Sequence, residues 1–158
     1  MKKFILIGLG ALALGLGALA LFRKPGAVEI PNTDVKGLGN RYETKVDLVV
    51  FQYRDSDDYF VRVPGNDAPE IKDIPAKLPY RWYDYKVFGV LPAGSRFQIV
   101  GGKQSTSTTM GGSWYMVNIE SDGKFRGHQI ATPSIESHAD GQAFDSKYAI
   151  ELTTPTAK

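Results

Sequence analysis

The sequence predicts an all-β domain, a small barrel, carried behind a single N-terminal transmembrane helix. Three observations lead there. Short runs of aromatic and β-branched residues are cut by Gly, Pro and Asp turn signals, most clearly between Leu91 and Ile130. Beyond the N-terminus no stretch shows a long amphipathic helical period. Residues 4–22 are apolar and uncharged, bounded by Lys2-Lys3 and Arg23-Lys24.

As a helix, Phe4 to Phe22 would reach ~28 Å at ~1.5 Å per residue, about the hydrocarbon thickness of a bilayer. A basic start and Ala18-Leu19-Ala20 also fit a cleavable secretory signal. The run continues through Leu21 and Phe22 to Arg23-Lys24, so residues 1–24 are expected to stay as an anchor or uncleaved signal. Two basic residues flank each end, which leaves orientation unset. Gly8, Ala11 and Gly15 share one helical face, where small side chains let a second helix approach closely. Gly and Ala are equally ordinary filler in such segments.

Pro25-Gly26 stops the helix, and residues 25–41, with Pro31, Gly37 and Gly39, read as an extended stalk. The β domain is expected over residues 42–153. Arg41 to Pro64 reads as a hairpin added at its N-terminal side, turning at Arg54 to Asp58. Four prolines and five charges make Pro64 to Pro79 a surface loop. Tyr80-Arg81-Trp82-Tyr83-Asp84-Tyr85 is the densest aromatic cluster, and Lys86 to Leu91 the strand that follows it. A Pro92–Gly94 turn leads to a strand through Phe97 and Ile99, and Trp114 to Glu120 forms the next. Ser121-Asp122-Gly123-Lys124 is a tight turn, with Gly123 supplying a positive φ, and Lys124 to Ile130 pairs back. Alternation places Tyr115, Val117 and Ile119 inward and Trp114 outward. Tyr148 to Thr153 is a last strand, and residues 154–158 a tail.

The formal charge of +2 misleads. Setting aside Lys2, Lys3, Arg23 and Lys24 leaves fifteen basic residues against 17 acidic ones, with no basic run. A surface that tracks phosphates needs clustered Lys and Arg, so nucleic-acid binding is not expected. With no cysteine there is neither a disulfide framework nor a thiolate metal site.

Catalytic chemistry finds little footing. The chain lacks a G-x-S-x-G elbow and has two histidines, His128 and His138. Ser137, His138 and Asp140 are too close in sequence to adopt triad geometry readily. A metal would need His128, His138 and carboxylates such as Asp140 or Asp145 to converge. A solvated His138 and a partly buried, hydrogen-bonded His128 are the plainer expectations. Asp55, Asp57 and Asp58 crowd one turn, but without EF-hand spacing they suit a solvated hairpin tip. Gly101-Gly102 and Gly111-Gly112 bracket a Ser/Thr-rich loop that lacks the P-loop pattern. No enzyme, metal or cofactor is therefore expected.

L-P-A-G-S-R-F-Q-I-V, W-Y-M-V and D-G-K-F-R-G together resemble the core of an SH3-like barrel, closest to the bacterial SH3 type, over roughly residues 80–135. Gly94, Trp114, Val117, Gly123 and Gly127 fall on that family's turn and strand positions. His128 stands where an aromatic is usual, the loop from Lys103 to Gly112 is long, and Thr132-Pro133-Ser134 vaguely resembles the short turn before the last strand. The resemblance implies an aromatic face that grips extended peptides or cell-wall strands. Tyr83, Tyr85, Trp114 and Tyr115 are the residues available to build it, with core filling as the alternative.

The function expected from all this is non-enzymatic: a single-pass membrane protein, anchored in the lipid bilayer through residues 4–22, presenting the β domain on the exported side. Its partner would be a protein or cell-wall material. The alternative is a structural subunit of an envelope complex or of a membrane-containing bacteriophage virion.

Overall fold

The computed structural model describes residues 26–53, 56–65, 68–106, 112–133 and 143–152. Phe4 to Phe22, expected as the transmembrane helix, lies outside them, as do Gly8, Ala11 and Gly15. No helix among the described residues is long and apolar enough to cross a membrane.

The described chain is all-β. Ten strands follow in order: β1 (Ala27–Glu29), β2 (Arg41–Thr44), β3 (Leu48–Tyr53), β4 (Tyr59–Arg62), β5 (Tyr80–Trp82), β6 (Tyr85–Leu91), β7 (Arg96–Ser105), β8 (Ser113–Ile119), β9 (Gln129–Ala131) and β10 (Ala149–Leu152). They form one sheet ordered β10-β2-β7-β8-β9-β4-β3-β6-β5, with β1 added to β7. All its ladders are antiparallel except β4–β9, which is parallel. The sheet curls into a half-barrel, with β10 and β5 at its two ends.

The expected hairpin is β3 against β4, in register from Val49–Arg62 to Phe51–Phe60. The added C-terminal strand is β10, which pairs with β2. The stretch expected to be a stalk instead carries β1 and a 3-10 turn over Asn32–Asp34, lying against β7. Gly102 explains this. Its missing side chain leaves room for Ile30 and Val35, whose carbons would stand 3.1 and 3.3 Å from an added Cβ, and its carbonyl accepts the Ile30 N–H.

The return strand after β8 is shorter than the sequence suggested. Lys124 to Gly127 form a turn and β9 begins at Gln129. The reason is Phe125, which is buried in the core, while Gly127 N–H donates to the Ile119 carbonyl and closes the loop. Gly123 takes φ 129°, as expected of the turn.

Where the sequence implied one barrel interior, the sheet carries an apolar cluster on each face. The first holds Tyr42, Leu48, Val50, Phe97, Ile99, Val117, Ile119, Ile130 and Phe144. The second holds Val49, Phe51, Phe60, Val87, Met116 and Ala131. Strand β3 is therefore buried on both faces, which accounts for its unbroken Leu48-Val49-Val50-Phe51 run. Residues of the proline-rich segment, Ala68, Ile71, Ile74 and Leu78, cover the second cluster. The β3–β6 ladder shifts register beside Val50, where Gly89 adopts φ 152° and the Phe125 ring lies 3.3 Å from where a Cβ would be. Only glycine fits that bulge.

Candidate ligand-binding face

The β5–β6 hairpin builds the candidate site. Two residues, Tyr83 and Asp84, join Trp82 to Tyr85. A turn that short needs a residue with positive φ, normally Gly, Asn or Asp. Here the residue is Tyr83, at φ 51° with 76% of its surface exposed, while its ring packs edge-on against Trp82 at 4.7 Å. A non-glycine residue in this region is strained, and such strain gathers at binding and catalytic sites.

Behind Tyr83 the aromatics form a continuous seam. Trp82 lies 5.3 Å from Tyr85, Tyr85 lies 5.0 Å from Phe51 and 5.5 Å from Tyr53, and Phe60 links this group to Trp114 at 6.2 Å. The Arg62 guanidinium stands 5.3 to 5.9 Å from the rings of Phe51, Tyr53 and Tyr85 and donates to the Tyr53 hydroxyl at 2.6 Å. That combination of cation–π contact and hydrogen bond fixes the seam. Two of its polar atoms, the Tyr80 hydroxyl and Trp114 Nε1, are buried without a hydrogen-bond partner. Burial, and next the Asp73 carboxylate, push the Tyr80 phenol above its usual range.

Of the four aromatics singled out in the sequence, Tyr83, Tyr85 and Trp114 share this side of the sheet. Trp114 was expected to point outward. It does leave the first cluster, but it packs half-buried on the second. Tyr115 is separated from the other three: its ring lies 5.3 Å from Phe144, against the first cluster. The residues that the sequence reading missed are Tyr53, Trp82 and Arg62 in the seam, and Arg81, Lys86 and Gln52 in a row on the opposite face of the same strands. A shallow groove of about 210 Å³ is lined by Gln52, Tyr53, Arg81, Asp84, Tyr85 and Lys86.

The other candidates resolve more simply. His128, expected to be partly buried, is exposed and makes edge contacts with Tyr59 at 5.5 Å and Phe125 at 6.1 Å. Asp58 pairs with Lys103 at 2.7 Å, and Asp145 Oδ1 accepts the Lys147 N–H at 2.8 Å. Asp55, Ser137, His138 and Asp140 lie outside the described residues. Among the described residues no three metal-ligating side chains gather.

Comparison with known protein families, with curated proteins and with solved structures finds no match to this chain.

Proposed function

We propose that this chain is a non-enzymatic, single-pass membrane protein that presents its β domain as a binding module on the exported side. Residues 4–22 hold it in the bilayer, and the β5–β6 hairpin engages a protein partner or cell-wall material. The observation that carries the reading is Tyr83, a strained and exposed aromatic set beside an open groove. A large aromatic held in water at a backbone cost contributes most when a ligand covers it. The SH3-like reading belongs with this proposal. What supports it is the antiparallel β7–β8–β9 meander, with Gly94 at positive φ in the turn leading into β7 and Gly123 at positive φ between β8 and β9.

Affinity purification from gently solubilised membranes tests the reading. The full chain should retain a specific partner that the Tyr83→Gly variant loses. Equal recovery with both chains would remove the hairpin as the binding face.

A further inference from the structure

The face of the sheet opposite the aromatic seam carries a row of hydrogen-bond donors. Tyr80 and Trp82 on β5, Tyr85 and Val87 on β6, and Phe51 and Tyr53 on β3 belong to the second cluster. The residues between them point to the other side. In register, these are Arg81, Lys86 and Gln52, directly opposite one another across three strands. All three line the groove.

Two like charges facing each other across a ladder are destabilising. The effect is sharpest here, because residues flanking a two-residue turn exchange hydrogen bonds. That leaves Arg81 and Lys86 as the next, non-hydrogen-bonded pair, whose side chains lie closer. Elsewhere the sheet supplies such cations with carboxylates: Arg41 has Glu120, Arg96 has Glu43 and Lys103 has Asp58. Arg81 and Lys86 have none among the described residues. Asp84 lines the same groove and forms no ion pair with either. Arg81 Nε donates to the Tyr83 carbonyl at 3.1 Å, which ties the guanidinium to the strained turn and leaves its terminal nitrogens for another acceptor.

We infer that this groove takes a glutamate or aspartate side chain from an acidic peptide segment of a protein partner. Arg81 and Lys86 hold the carboxylate and Gln52 donates to it, while Tyr83, on the seam side of the same hairpin, meets the partner beyond the turn. The inference rests on the binding-module reading and specifies its partner. Size supports a side chain as the occupant, since the groove is smaller than the ~300–1,000 Å³ of small-molecule sites. Charge supports a carboxylate over a phosphate, because Asp84 in the lining offsets one of the two cations and leaves a single net positive charge to match.

The test uses the full chain in detergent with a fluorescein-labelled oligoglutamate peptide and an oligoglutamine peptide of equal length. Oligoglutamate should bind more tightly, and its affinity should fall as salt rises. Lys86→Glu should weaken it on the order of tenfold, the scale of one lost charge-assisted hydrogen bond, and Arg81→Gln likewise. Lys86→Glu should also raise the melting temperature, because it turns a like-charge pair into an opposite one. A merely structural role would not move binding and stability in opposite directions. Equal binding of the two peptides, or unchanged binding by Lys86→Glu, overturns the inference. So does preference for phosphatidylglycerol vesicles over oligoglutamate. Partner capture that needs Tyr83 but tolerates both charge variants would keep the binding module and remove its acidic specificity. Capture indifferent to all three variants removes both.

Discussion

At Tyr83 the backbone and the side chain have opposing demands. The turn requires φ 51°, which glycine adopts freely and tyrosine does not. Tyr83→Gly should therefore stabilise the domain by ~1 kcal/mol in denaturant unfolding, while costing it the partner. A loss of stability would mean that the Tyr83–Trp82 contact outweighs the strain. Gly123 is the converse case. It sits at φ 129° with nothing within 4 Å of an added Cβ, so backbone conformation alone decides the outcome. Gly123→Val should destabilise by more than ~1 kcal/mol, and an unchanged melting temperature would show that the turn accepts a side chain. The first of these positions was not legible in the sequence and the second was. Asp-Gly announces its turn, whereas Tyr-Asp carries no such signal. The Arg81–Lys86 opposition stayed hidden for the same reason, since it appears only once the turn at Tyr83 fixes the register.

The elements were easier to find than the surfaces they bury. Alternation in β8 correctly sent Tyr115, Val117 and Ile119 to one core. It left Trp114 and Met116 apparently facing water, because periodicity shows which residues share a face and not what covers that face. The cover comes from the proline-rich segment, whose prolines and charges marked it as surface while Ile71, Ile74 and Leu78 do the packing. Trp114→Ala should accordingly cost ~2–3 kcal/mol in denaturant unfolding. That is somewhat below the usual value for a lost core aromatic, because the unpartnered Nε1 goes with it. Trp114→Phe should cost less than about half as much, since it keeps most of the ring and drops the orphan N–H. A negligible loss for Trp114→Ala would mean that the second cluster adds nothing to stability. The bulge at Gly89 gave no sequence signal either. A glycine inside an apolar strand is compatible with several conformations, and the approach of Phe125 singles out one of them.

At the scale of the molecule, the half-barrel is held at one end by β2 and β10. Tyr42 is 3% exposed and donates its hydroxyl to Glu151 Oε2 at 3.1 Å, while Asn40 Nδ2 donates to Oε1 at 2.8 Å. Burial is the main cause that raises the Tyr42 phenol to about 12; the Asn40 hydrogen bond opposes it and the Glu151 charge adds to it. An unfolded tyrosine ionises near 10, so between about pH 10 and pH 12 the unfolded chain gives up a proton that the folded one keeps. Stability present below pH 10 should therefore decline across that window, by an amount on the order of 2 kcal/mol. Tyr42→Phe should flatten that alkaline limb, and a limb of equal slope in the variant would assign it to another group. The same clasp sets the order in which the protein can be made. Tyr42 and Glu151 are 109 positions apart, so at ~5–20 residues per second β2 waits several seconds on the ribosome for its outer neighbour. β4 likewise has no β9 beside it until some seventy further residues have been added. Until then, even with β3–β4, β3–β6, β5–β6 and β7–β8 paired, the nascent chain keeps the outer edges of β2, β4 and β8 and the rings beside them uncovered. Refolding of the complete chain should be slow, in the millisecond-to-second range typical of distant strand pairing, and truncation before Ala149 should leave a product that binds holdase chaperones instead of a smaller native domain.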